Sequence, residues 1–166
     1  MKIISKTRIV VSLILKLIVI VCAAAGTYIS AYAGRGTFMG GSRVFMFFTI
    51  QSNIAVALLS AAGAFLLARG KAIPWAWYVV KLAGAVSITL TGVVFAVLLV
   101  PILGDRAWNL QNTLTHAVVP AAAIADFFVV ASGVRIRRKD VLWVIVPPLL
   151  YAVYAGVGYV RGWEFI

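Results

Sequence analysis

The sequence predicts an all-α integral membrane protein: one domain over residues 1–166, built as a bundle of five transmembrane helices. Three observations predict it. Of 166 residues, 64% are hydrophobic, where a soluble domain is about half apolar. Only 11% are charged, too few to cover a water-facing surface. Apolar runs of about 20 residues or more, the length that crosses a bilayer, recur along the chain. They cover residues 9–33, 44–68, 74–103, 112–134 and 141–160. The linkers "GRGTFMGGSR", "RGKAI", "GDRAWNLQ" and "RIRRKD" are too short to hold a second domain.

The first run follows Lys2, Lys6 and Arg8 and ends in "AYAG". That ending resembles a secretory cleavage site. The run is long enough to span, so a retained helix is expected. The second run carries Thr49, Gln51, Ser52 and Asn53 in an apolar setting. The third and fourth carry Lys81 and Asp126, and the fourth holds His116, the single histidine. Small residues that let helices approach in lipid occur in "PAAAIA" on the fourth. On the fifth they are Ala152, Gly156 and Gly158-x-x-x-Gly162.

The formal net charge is +11. In a membrane protein such an excess holds cytoplasmic loops in place, so no nucleic-acid partner is expected. With the N-terminus inside, the inner set is Lys2, Lys6, Arg8, Arg69, Lys71, Arg135, Arg137, Arg138 and Lys139. The outer set is Arg35, Arg43, Arg106 and Arg161, and Lys16 and Lys81 lie within spans. Nine against four predicts a cytoplasmic N-terminus, and five spans place Ile166 outside. The lone Cys22 offers no internal disulfide and no cysteine-based metal site. It reads as a packed helix residue, and no cofactor or metal is expected.

Polar residues within the spans sort by depth. Thr49, Ser52, Asn53, Val56 and Ser60 share one helix face. Asn112, His116 and Pro120 share another. The second and fourth spans run in the same direction, which places Thr49 and His116 at matching depth, roughly 6–8 Å below the outer helix starts at 1.5 Å per residue. An imidazole near a hydroxyl can accept its proton during attack on a carbonyl and return it to the leaving group. Asn53, Ser52 and Asn112 are the candidates for oxyanion donation or ring orientation. No Asp or Glu falls in the outer half of a span, so a Thr–His dyad is the most these residues support. Helix-to-helix hydrogen bonding by the same side chains is the plainer alternative. Deeper in, Asp126 and its candidate partners Lys16 and Lys81 read as a structural clamp, since a lone charge there costs about 2.5–3.5 kcal/mol on the insertion scale.

Two motifs, "FFTIQSN" (47–53) and "HAVVPAAAIADF" (116–127), resemble a bacterial multi-pass family related to the androgen-induced protein and the androgen-dependent TFPI-regulating protein. The eukaryotic relatives are membrane-embedded threonine hydrolases of fatty-acid esters. The resemblance implies that Thr49 is the nucleophile and His116 its base, with a fatty-acyl ester as substrate. The eukaryotic motif lacks the "QSN" element, so the match of Thr49 rests on placement. The resemblance also implies a sixth helix after "RGW", beyond Ile166, and its absence would favour self-association or a partner protein. The expected function is hydrolysis of lipid or fatty-acyl esters near the outer leaflet. The alternative is a non-catalytic assembly subunit or small carrier whose polar residues pack helices or bind ligand.

Overall fold

The computed structural model describes residues 5–33, 35, 40–70 and 73–163. Lys2, Lys71, Gly34 of the "AYAG" run and Ile166 lie outside the described residues. The protein is an all-α bundle, with no strand among the described residues. Five helices are long and apolar enough to cross a membrane: α1 (Lys6–Ala33), α2 (Phe48–Ala68), α3 (Trp75–Ala107), α4 (Leu110–Ala131) and α5 (Arg138–Val160).

Boundaries shift from the sequence reading for local reasons. The second apolar run begins four residues before its helix does. A 3-10 turn at Gly41–Met46 comes first, and Phe47 is extended at φ −85° and ψ 139°, so α2 starts at Phe48. The helix α4 starts earlier than expected because Asn109 caps it, its Oδ1 accepting the Asn112 N–H at 2.9 Å. It ends at Ala131, after which Ser132 (ψ 116°) and Gly133 (φ 81°) turn the chain away.

The spans are not uniformly α-helical. Phe95–Leu99 in α3 and Leu114–Val118 in α4 are π-helical. Each segment ends two residues before a proline, Pro101 or Pro120. Proline lacks an N–H, and its ring collides with the carbonyl four residues back. Opening the turn to i→i+5 bonding moves that carbonyl aside. On α5 the irregularity before the paired Pro147 and Pro148 is of the opposite kind, a tighter 3-10 turn at Leu142–Ile145.

Helices α1 to α4 close into a ring: α1 packs on α2 and α4, and α3 packs on the same two. Val19, Ala23, Val56, Ile88, Val119, Ala122 and Ala123 fill its middle, with Cys22 at the edge. Each side of the ring has a glycine at its closest approach. A Cβ on Gly26 would lie 2.6 Å from Thr115 Cγ2, and one on Gly63 2.8 Å from Lys16 Cε. On Gly84 it would meet Leu59 Cδ1 at 2.8 Å, and on Gly92 the His116 carbonyl at 2.9 Å. Lipid-scale packing depends on such small residues. The helix α5 lies along α3 outside the ring. A Cβ on Gly156 would meet nothing within 4 Å among the described residues, so that part of the small-residue stripe has no packing partner among them.

Gly92→Ala is expected to lower stability by about 1–3 kcal/mol, because a backbone carbonyl cannot yield as a side-chain tip can. Gly156→Ala should stay within about 0.5 kcal/mol of the parent. Thermal unfolding of the two variants in detergent micelles compares them directly.

Candidate functional site

Polar side chains inside the ring form two layers separated by the apolar core. Thr27, Asn53, Thr91 and Thr115 make one layer, one from each helix, all buried. Lys16, Lys81 and Asp126 make the other, with Gly63 of α2 against Lys16. On every helix the two layers are ten or eleven residues apart in sequence, roughly 15–16 Å along the axis.

The first layer is organised by Asn53. Its Nδ2 donates to the Thr49 carbonyl at 2.8 Å and to the Thr115 carbonyl at 3.2 Å. The second bond crosses the diagonal of the ring and ties α2 to α4. Both amide protons are therefore committed, and the remaining Oδ1, fully buried, has no partner among the described residues. As placed, Asn53 offers a carbonyl oxygen to the bundle interior and no donor for an oxyanion. Ser52 Oγ donates to the Thr49 carbonyl at 3.0 Å. Asn112 Nδ2 donates to the Ala107 carbonyl at 2.9 Å, so Asn112 orders the α3–α4 connection and not the His116 ring. A side chain beside its own helix terminus meets backbone carbonyls first, and the sequence pattern did not account for that competition.

His116 sits in the π segment of α4. Its ring stacks on Phe95, which lies in the π segment of α3, with centroids 4.3 Å apart and planes 11° apart. Trp108 meets the same Phe95 edge-on at 5.4 Å. His116 Nδ1 faces the Thr91 carbonyl at 3.4 Å. A proton on Nδ1 suits that contact and leaves Nε2 as an acceptor. The π turn adds a residue to the helix between Asn112 and Pro120. The common face expected of Asn112, His116 and Pro120 is thus interrupted.

Thr49 and His116 share no hydrogen bond. Their depths also differ. The Asn53–Thr115 bond puts Asn53 level with the His116 segment, and Thr49 lies four residues earlier on α2, about one turn or roughly 6 Å further out. The late start of α2 at Phe48 produces this offset.

The second layer brings its three expected charges together. Lys16 Nζ donates to Asp126 Oδ1 at 2.8 Å and Oδ2 at 2.7 Å, and to Ser12 Oγ at 2.7 Å. Ser12 Oγ donates to Asp126 Oδ1 at 2.5 Å. Lys81 pairs with Asp126 Oδ2. One carboxylate therefore holds α1, α3 and α4. Ser12, a turn before Lys16, was not read from the sequence. Its i, i+4 spacing to Lys16 was the available signal.

A cavity of about 760 Å³ lies outside the ring, between α2, α3 and α5. Phe48, Gln51 and Tyr154 line one end and Trp75 and Trp143 the other, over a largely apolar wall that includes Ser52 and Ser87. Phe48 packs on Tyr151 at 5.1 Å. Arg137 lies over the Trp75 ring at 4.2 Å and pairs with Asp140 at 2.5 Å, a bond that raises the already high guanidinium pKa. The cavity was not legible in the sequence, since it depends on which face of α3 receives α5.

Asp126→Asn, which leaves two buried ammonium groups without a counter-charge, is expected to cost about 3–5 kcal/mol. Asn53→Asp should destabilise more than Asn53→Ala, because it replaces two donors with an acceptor facing two carbonyls. Unfolding midpoints in micelles measure both. The chain was compared with protein-family models, with curated proteins and with solved structures, and no family model, curated protein or solved structure matches it.

Proposed function

We propose that the protein binds a lipid acyl chain within the membrane, in the cavity between α2, α3 and α5. The observation that carries this reading is the cavity itself: about 760 Å³ with an apolar wall and aromatic residues at both ends. Ligand sites are commonly 300–1,000 Å³, mostly apolar, with a few polar groups that fix orientation. Gln51 and the tyrosines Tyr151 and Tyr154 supply such groups at one end. The bias of Lys and Arg favours a cytoplasmic N-terminus, and the resemblance implies a plasma membrane, the bacterial inner membrane. That orientation puts the Gln51 end toward the outer leaflet.

A second reading is ester hydrolysis with Thr49 as nucleophile and His116 as base, as the resemblance of "FFTIQSN" and "HAVVPAAAIADF" implies. One observation favours it. The Thr91 carbonyl and the Phe95 ring hold the imidazole so that Nε2 stays an acceptor. Hydrogen bonds of a catalytic pair are often long without substrate. Here a bound ester must draw Thr49 and His116 together across one helical turn.

Two measurements separate the readings. Brominated-chain phosphatidylcholine should quench tryptophan fluorescence at Trp75 and Trp143, and Ala83→Phe, which fills the cavity, should reduce that quenching at least about twofold. Unchanged quenching in Ala83→Phe removes the acyl-binding reading. Hydrolysis predicts labelling by a fluorophosphonate probe that Thr49→Ala and His116→Ala each abolish. Labelling that survives both variants removes the dyad.

A further inference from the structure

The charges of the buried second layer do not balance. Two ammonium groups meet one carboxylate, and the three side chains are nearly inaccessible: Lys16 at 2%, Asp126 at 1% and Lys81 at 10% exposed. Among the described residues Asp126 is the single acidic residue in the interior of the ring, since Asp105 follows the last α turn of α3 and Asp140 is engaged by Arg137. A net positive charge thus sits in an apolar interior, where an uncompensated ion is costly.

Hydrogen-bond accounting identifies which lysine has donors to spare. An ammonium group has three donors. Lys16 commits all three, to Ser12 Oγ and to both Asp126 oxygens. Lys81 commits one, to Asp126 Oδ2; its ammonium lies beside that of Lys16, and no further acceptor meets it among the described residues. Two of its donors are therefore open, and it is the most exposed member of the three. It lies six residues into α3, roughly 9 Å inside the end of the bundle where α1, α3 and α5 begin. Lys6, Arg8, Arg69, Arg137, Arg138 and Lys139 surround that end. Such a basic rim draws anionic headgroups. The cluster lies apart from the α2–α3–α5 cavity, none of whose lining residues belongs to it.

We propose that Lys81 anchors an anion site for a phosphate oxyanion, whose negative charge offsets the excess of the Lys16–Asp126–Lys81 cluster and whose oxygens take the two open donors. A lipid phosphodiester and free inorganic phosphate share this chemistry.

The test is thermal unfolding of the purified protein in a neutral detergent, followed by tryptophan fluorescence. Each sample is measured alone, with phosphatidylglycerol, and with inorganic phosphate, for the parent and for Lys81→Met. The variant retains a neutral Lys16–Asp126 pair, so without added anion it should unfold at a higher temperature than the parent. Either anion should stabilise the parent, and its apparent affinity should fall about tenfold or more in the variant, the equivalent of one lost charged contact. A response to phosphatidylglycerol alone identifies the lipid as the source, and a response to inorganic phosphate identifies the free ion. Lys81→Gln serves the same comparison if Lys81→Met does not fold. Equal anion responses in parent and variant, or no response in either, overturn the site. So does a parent whose stability changes with pH and with neither anion, because the excess charge is then relieved by proton loss.

Discussion

The carboxylate of Asp126 is the interaction on which the bundle depends. In lipid a polar group finds partners only inside the protein. Asp126 gathers Lys16 and Ser12 of α1 and Lys81 of α3 around one point of α4. The four elements of the ring are then in register at that level, because Gly63 of α2 packs directly on the Lys16 stem. Everything above that level is positioned by counting turns from it. Buried ion pairs are weak evidence for net stability and better evidence for a defined arrangement. Here the arrangement fixes which faces of α1, α3 and α4 point inward.

The apolar layer above the clamp and the polar layer beyond it follow from the same register. Valine, isoleucine and alanine fill the middle of the ring, and the four glycines let its sides approach closely enough for those small side chains to meet. Asn53 then ties the diagonal through the Thr115 carbonyl. Its unpartnered oxygen and that of Thr27 are the two buried polar atoms without partners among the described residues, and both lie in this layer.

Fold class was legible because hydropathy and span length report directly on the solvent. The clamp was legible because a charge in lipid needs a counter-charge, and the candidates were few. The polar layer was less so. Helix-face arithmetic assumed a uniform 3.6-residue turn, and Pro101 and Pro120 break that assumption beside the residues of interest. The prolines themselves were visible in the sequence, and their shared spacing to Phe95 and His116 could have flagged both π segments. The depth assigned to Thr49 failed for a different reason: hydropathy at 44–47 continues unbroken while the backbone at Phe47 does not. Asn53, Ser52 and Asn112 were read as free donors, and each is taken by a nearby carbonyl.

The two π segments stand side by side in antiparallel helices, joined by the stacked rings of Phe95 and His116. Because each is followed by a proline, the hydrogen-bond ladder of both helices is interrupted at one common height. Beyond that height the outer ends of α3 and α4 are joined to the lysine–aspartate cluster by a broken backbone ladder, and the stacked rings bridge the break from one helix to the other.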